Sequence, residues 1–385
     1  MPSYSFEIHS KLPNAGTSIF AVMSRLAHEN GAINLSQGYP DFPTSNELIS
    51  RVHKAMKEGY NQYAPMPGVF PLREVISEKL EKLYGTNYDP DTEITVTAGA
   101  TQAIFTAISA VVRKGDEVII FAPAYDSYAP SIEASGGKAI EIELEPPHYG
   151  VDWKKVKRAI STRTRMILIN SPHNPTGSIL GEQDMKQLES LVSGTSIIVL
   201  SDEVYEHMVY DGEVHNSAAR FPGLADRSFI VASFGKTFHN TGWKMGYCAA
   251  PAELMSEFRK IHQFNVFSVN HPIQVALAAF LKDPGNYEYL SAFFEAKRNT
   301  FLEAIQGSKF TAIPSRGTYF QLLGYEAISE ETDMELARRL TIEKKVASIP
   351  VSAFYANRTD HKVLRFCFAK SEDTLLKGAE ILNRL

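Results

Sequence analysis

Three residues able to do chemistry crowd into one short stretch, Ser233 to Gly246 (SFGKTFHNTGWKMG), where Ser233, Lys236 and Lys244 follow the apolar run FIVAS in a glycine-studded loop. A lysine amine attacks a carbonyl only while it is neutral. Proteins arrange this by burying the amine or by placing a second cation beside it, and Lys244, eight residues on, could be that cation. Two solvated lysines in a turn fit the same stretch, since lysine is mostly exposed.

Other reactive side chains fall just after short β-rich runs. After ITV comes TAGATQA, small residues opening a helix, whose free N–H groups at Ala100, Thr101 and Gln102 suit either an anion or a plain tight turn. After RMILIN comes NSPHNPTG, in which Asn174 precedes a proline and is pushed out of helical geometry; its amide is then free to point into a cleft, although NPTG is also a common turn. After SIIVL comes SDEVY, which brings Asp202 and Tyr205 to a strand end, where a carboxylate can equally cap a helix. In KVLRFCFA, alternation sets Leu364, Phe366 and Phe368 on one face and Arg365 on the other, so that this arginine needs an anion, either a structural partner or a ligand.

The elements that position these residues form a rhythm. ITVTA, EVIIFAP, KAIEIEL, RMILIN, SIIVLSDE, FIVASF and MGYCAAP are seven strand-like runs, most of them separated by helix-like segments such as 101–112 and 182–192. This alternation predicts a mostly parallel sheet covered on both faces, with ligands bound beyond the carboxyl ends of its strands. FIVAS and MGYCAAP are too close for a crossover helix, so one of the two is antiparallel. After Pro284 the order becomes helices (286–306, 333–344, 372–384) mixed with short strands. The expected fold is therefore α/β: a large domain with a mostly parallel seven-stranded sheet (45–285), a smaller α+β domain (286–385) and an N-terminal arm that completes it (1–44), containing a helix at 17–29.

Composition removes several functions. The chain has 385 residues, 44% of them hydrophobic, enough for a large core. Lysine and arginine number 39 against 44 acidic residues, net −5, with no basic block to track a nucleic-acid backbone. Cys248 and Cys367 lie in apolar runs and read as reduced core residues. No secretory pattern opens the chain and no stretch approaches the ~20 apolar residues of a membrane span, which places it in the cytoplasm. GKT at 235–237 has Ile230 where a nucleotide phosphate loop needs glycine, and HExxH is absent, so no metal site is expected. His173 and His207 lie near the candidate residues, yet packing or solvent contacts explain them equally well.

Taken in order, INLSQGYPDFP, NQYAPMPG, TAGATQA, PAYDSY, NSPHNPTG, SDEVYEH, SFGKTFHNTGWKMGY and LRFCFAK resemble the fold type I aminotransferases that use pyridoxal 5′-phosphate, over nearly the whole chain. QGYPDFP and GWKMGY narrow the likeness to the branch with methionine aminotransferases and glutamine and kynurenine aminotransferases. The resemblance implies that Lys236 forms a Schiff base with the cofactor and shuttles the substrate α-proton. It implies that Asp202 holds the pyridine nitrogen, that Tyr205 and Asn174 bond the ring oxygen and that Tyr125 stacks on the ring. Phosphate falls to Ala100 and Thr101 with Ser233 and Lys244; many wider relatives have arginine at the last position, and the narrower branch shares lysine. Tyr63 matches a residue that reaches the phosphate from a neighbouring subunit, implying a homodimer with shared sites. Arg365 and Gly38 are matched to binding of the substrate α-carboxylate, with arm and small domain closing over it. The activity so implied moves an amino group from an L-amino acid to a 2-oxo acid. Phe20, Tyr39, Tyr63 and Tyr125 near the cleft favour methionine, then aromatic amino acids, kynurenine and glutamine, over acidic donors. A cysteine-conjugate or cystathionine β-lyase, or a non-catalytic ligand sensor, are the other roles this scaffold carries.

Overall fold

The computed structural model describes Tyr4 and residues 7–385; residues 1–3, 5 and 6 of the expected arm lie outside the described residues. In chain order the strands are β1 (Ile33–Asn34), β2 (Ile94–Thr97), β3 (Glu117–Ala122), β4 (Lys138–Glu143), β5 (Thr164–Asn170), β6 (Ile198–Asp202), β7 (Ser228–Ser233) and β8 (Gly246–Ala249). Then come β9 (Thr311–Ala312), β10 (Phe320–Gly324), β11 (Val346–Ala347), β12 (Ile349–Pro350) and β13 (Val363–Cys367).

Seven strands form one sheet in the order β2-β8-β7-β6-β5-β3-β4. The five strands β3 to β7 run parallel, and β8 is antiparallel to both β2 and β7, so MGYCAAP is the reversed member of the close pair. Successive side chains of a strand point to opposite faces, and here both faces are apolar. Val118 and Ile120 of β3 enter one core, with Leu168, Leu200 and Phe229, beneath the helices Ala100–Val111 and Ala252–Asn265. Ile119 and Phe121 enter the opposite core with Ile167, Ile169, Val199 and Ile230. The helices Phe70–Tyr84 and His271–Leu281 cover that side. His271–Leu281 was not foreseen from the sequence because it is buried nearly all round and carries no amphipathic stripe.

The second sheet is antiparallel, β12-β13-β10-β9, backed by the helices Leu290–Ala304 and Glu372–Leu382. The arm strand β1 pairs in parallel with β11, which ties residues near the start of the chain to its last third. Two expected helices are interrupted: 286–306 divides into Gly285–Glu288 and Leu290–Ala304, and 333–344 turns from α-helix to a π turn at Leu340, which ends at Lys345 with φ 65°. Among the described residues no helix is long and apolar enough to cross a membrane.

One buried ion pair fastens the turn that follows β6. Lys79, on the helix Phe70–Tyr84, donates to Glu206 Oε1 at 2.5 Å and to the Tyr247 hydroxyl at 3.1 Å, while the Tyr84 hydroxyl donates to Glu206 Oε2 at 2.6 Å. Burial pushes the Glu206 carboxyl up, but the Lys79 charge and these donors outweigh it and bring the group down to about 2. The turn so held carries Tyr205 and follows directly on Asp202, the last residue of β6. Lys79→Met is expected to lower stability by about 3–5 kcal/mol in urea unfolding, because it strands a buried carboxylate, and Lys79→Met/Glu206→Leu is expected to recover most of the loss.

Candidate active site

Parallel register brings the chemistry of the large sheet to one edge. Asn170, the last residue of β5, lies beside Asp202, the last of β6, and Ser233 ends β7 opposite Gly246. Beyond this edge lies a cavity of about 270 Å³. Its walls come from the arm (Phe20, Gln37, Gly38), the start of the helix Ala100–Val111, the loops after β3, β5, β6 and β7, and the second sheet through Phe320 and Arg365. Of the expected site residues, Gly38, Ala100, Thr101, Tyr125, Asn174, Asp202, Tyr205, Lys236 and Arg365 all line it.

Lys236 is half-buried as a residue, yet its amine end is enclosed: Nζ donates to the Tyr319 hydroxyl at 2.8 Å and to the Gly38 carbonyl at 3.0 Å, and stands over the Tyr205 and Tyr319 rings. Burial is the largest force on this amine and lowers its pKa from 10.5 to about 8; Arg365 pushes the same way, Asp202 opposes, and Lys244 acts only weakly. Of the two routes to a neutral amine, enclosure therefore dominates, and the cation that helps more is Arg365 rather than Lys244.

Asp202 is buried and accepts from the Tyr128 hydroxyl at 2.5 Å and from the Val204 N–H at 3.3 Å. Burial pushes it up to about 6 against the pull of those donors and of Lys236. Tyr128 is a site residue the sequence reading passed over; its signal was the second tyrosine of PAYDSY.

Arg365 is wholly buried, and burial draws it down to about 10. Its guanidinium donates to Asn174 Oδ1 at 2.8 Å and to the Ser36 carbonyl at 2.9 Å, and its Nε has no partner. The rings of Phe320 (3.8 Å), Phe20 (5.1 Å) and Phe354 (5.5 Å) surround it, and no carboxylate among the described residues is paired with it. A cation so placed keeps an unmet demand for an anion.

The other residues lie differently. Ser233 stands beside the cavity and spends its Oγ on the Lys236 N–H at 3.3 Å. Lys244 is exposed and left-handed (φ 55°), packed next to Gly99. Of the four aromatics expected near the cleft, Phe20 and Tyr125 line it, whereas Tyr39 is exposed and Tyr63, 81% exposed, sits in a separate groove with Ser268 to Pro272. His173 bonds Thr176 at 2.8 Å and His207 packs on the Tyr287 ring, as packing residues would. No cluster of described residues could hold a metal ion. Phe320 and Tyr319 were missed because GTYF reads as an ordinary core strand.

A match to the family model for aminotransferase class I and II covers residues 30–382. The chain belongs to that family. It is 49% identical to the methionine aminotransferase of Escherichia coli over 98% of both chains, and 31% identical to human kynurenine–oxoglutarate transaminase 1 over 94% of both. A solved Escherichia coli structure reported with a methionine aminotransferase function superposes with a TM-score of 0.96 at 48% identity, covering 99% of this chain and 100% of that one. An N-succinyldiaminopimelate aminotransferase from Mycobacterium tuberculosis superposes at 0.94 with 34% identity, over 98% of this chain and 100% of that one. This chain is thus an aminotransferase, of a family that uses pyridoxal 5′-phosphate.

The residues present fit such a group. The helix Ala100–Val111 starts at Gly99 (φ 77°) without a side-chain cap, so its first N–H groups face the cavity unmet. A Cβ at Gly246 would meet the Ala232 carbonyl at 2.6 Å and the Ala100 nitrogen at 3.1 Å, so the close approach of β8 to this helix start requires glycine. One buried carboxylate and one amine of depressed pKa complete a set suited to a phosphate, a basic ring and a carbonyl. At pH 7 a pKa of about 8 leaves about a tenth of Lys236 neutral, against about 0.03% at 10.5. Capture of pyridoxal phosphate by the apo-enzyme, followed by stopped-flow absorbance, is expected to quicken about tenfold per pH unit below about 8 and to level off above it. A rise continuing to pH ~10 would mean an unshifted lysine.

Proposed function

We propose that the enzyme transfers the amino group of an L-amino acid to a 2-oxo acid with pyridoxal 5′-phosphate as cofactor. Methionine is its leading donor, ahead of aromatic amino acids, kynurenine and glutamine. The observation that carries this reading is Arg365: a buried guanidinium without a counter-ion, caged by three aromatic rings in the cavity that also holds Lys236. It is suited to the α-carboxylate every amino acid offers. Among the described residues Lys236 and Arg365 are the only cations lining the cavity, so no second one is left there for a distal carboxylate, and Phe20, Tyr125 and Phe320 favour an apolar or thioether side chain. The 49% identity to a methionine aminotransferase supports the same donor.

When bound, the cofactor supplies an electron-poor ring that takes up the electron pair left as the α-proton departs. Ala100 and Thr101 N–H groups, with the Ser233 hydroxyl and the Lys244 charge, hold its phosphate; Asp202 keeps a proton on its ring nitrogen; Tyr205 and Asn174 donate to its ring oxygen; Tyr125 offers an aromatic face. Arg365 and the backbone near Gly38 orient the substrate carboxylate. The neutral Lys236 amine takes the α-proton and, as ammonium, gives it back to the carbon on the far side of the amino nitrogen. The working unit is a cytoplasmic homodimer in which Tyr63 reaches the partner's phosphate site. Exposed Tyr60, Tyr63, Phe264 and Phe267 support an apolar contact there. Each protomer divides into an arm (1–44), a cofactor domain (45–285) and a small domain (286–385) that closes over the substrate.

The holoenzyme is expected to show a visible absorbance band that bleaches when methionine is added. Lys236→Ala is expected to lose the band and the turnover. Arg365→Leu should lower kcat/KM for methionine by about 100-fold or more. A donor screen in which aspartate far outpaces methionine would refute the substrate assignment.

A further inference from the structure

The arm crosses the mouth of the cavity on carbonyl groups, and three of these carbonyls are held by cations, two from β13 and the turn after it and one from the segment after β7. Arg365 holds that of Ser36 at 2.9 Å, Lys236 that of Gly38 at 3.0 Å and Lys370 that of Tyr39 at 2.8 Å. Two of these cations, Arg365 and Lys236, are the ones the proposed reaction calls on. A carboxylate arriving at Arg365 competes with Ser36. A Lys236 nitrogen that bonds to a carbonyl carbon gives up most of its N–H donors, since an ammonium has three and a doubly bonded nitrogen at most one. The Gly38 carbonyl, half-buried, would then lose its partner at the moment the arm must stay closed, at the cost of an unmet acceptor.

A second donor stands at the same oxygen. The Tyr319 hydroxyl donates to the Gly38 carbonyl and accepts from Lys236 Nζ, closing a triangle of three groups. Tyr319 is wholly buried just before β10, with its ring against Tyr205, Phe294 and Phe320. That packing fixes the ring and keeps the hydroxyl oxygen beside the Gly38 carbonyl, where it also meets the Tyr205 hydroxyl. Burial holds its pKa well above the usual tyrosine value, so it remains a donor at every working pH. Gly38 can come this close only because it lacks a side chain: a Cβ there would lie 2.7 Å from the Phe320 ring.

We propose that Tyr319 is a positioning residue whose hydroxyl latches the Gly38 carbonyl, and with it the arm, over the site whenever Lys236 releases that carbonyl. This rests on the reading of Lys236 as the carbonyl-reactive lysine. The latch makes arm closure independent of the state of the lysine, so that substrate stays covered throughout the proton transfers. Tyr319 acts through the arm and not on the reacting atoms.

Tyr319→Phe keeps the ring and removes only the latch, and in the cofactor-free enzyme Lys236 still holds Gly38. Hydrogen exchange of a peptide spanning residues 36–41 is therefore expected to match wild type without cofactor. With pyridoxal phosphate bound, it should run about fivefold faster in the variant, the worth of one ordinary hydrogen bond. KM for methionine should rise by a similar factor while kcat at saturation stays within about twofold. Faster exchange to the same degree in both states, or no change in either, overturns the latch, because a structural loosening would not depend on what Lys236 is doing. Lys236→Met and Lys236→Met/Tyr319→Phe, both without cofactor, separate the two readings. Either donor alone should keep the arm slow and loss of both should free it, even if the absorbance band shows that another residue carries the cofactor.

Discussion

A guanidinium buried without a counter-ion is the constraint around which this molecule is arranged. Removing a charge from water costs several kcal/mol unless dipoles or an opposite charge replace the lost hydration. The direct partners of Arg365 are all neutral, namely the Ser36 carbonyl, the Asn174 amide oxygen and three aromatic faces, and the Asp126 carboxylate acts on it through space without pairing with it. The helpers come from three segments: the arm, the loop after β5 and the second sheet with its adjoining turn. The arrangement persists only if all of these segments meet, so satisfying one cation fixes the geometry of the whole cavity. What remains unmet, the Nε and the charge itself, is a standing affinity for a carboxylate.

Sheet topology does the rest of the positioning. With β5, β6 and β7 parallel and in register, residues far apart in sequence end at one edge, and Asn170, Asp202 and Ser233 take adjacent places there. That much was legible in the sequence, because strand runs of Val, Ile and Leu announce themselves and the residues directly after them are few. Lys236, Asp202, Asn174 and Tyr205 stand just after such runs, Arg365 was marked by alternation within its own strand and Tyr125 by the family resemblance, and the structure gathers all six into one cavity.

What could not be read depended on contacts between segments with no sequence relation. Tyr319 acts through the carbonyl of a glycine 281 residues away, and nothing in GTYF distinguishes it from a core tyrosine. Tyr128 opens a short helix and reaches Asp202, whereas Tyr125 lies in the loop before it, a difference that PAYDSY does not show. The weight of Lys244 was overestimated because sequence nearness stood in for distance: its exposed side chain is screened by water, whereas Arg365, 129 residues further than Lys236 along the chain, shares the enclosed cavity.

The titration of the cavity follows from the same enclosure. Its lining holds two cations, Lys236 and Arg365, and one anion, Asp202, and burial shifts the amine and the carboxyl toward their neutral forms, to about 8 and about 6. In this state the surplus positive charge of Arg365 disfavours a proton on Lys236, which is what attack on a carbonyl requires. A substrate carboxylate placed on Arg365 cancels that surplus, and the anion at the same time makes an ammonium at Lys236 less costly. The lysine is therefore a better nucleophile before the substrate arrives and a better proton acceptor after it, and the order of the two roles is set by one charge pairing at a residue that never touches the proton.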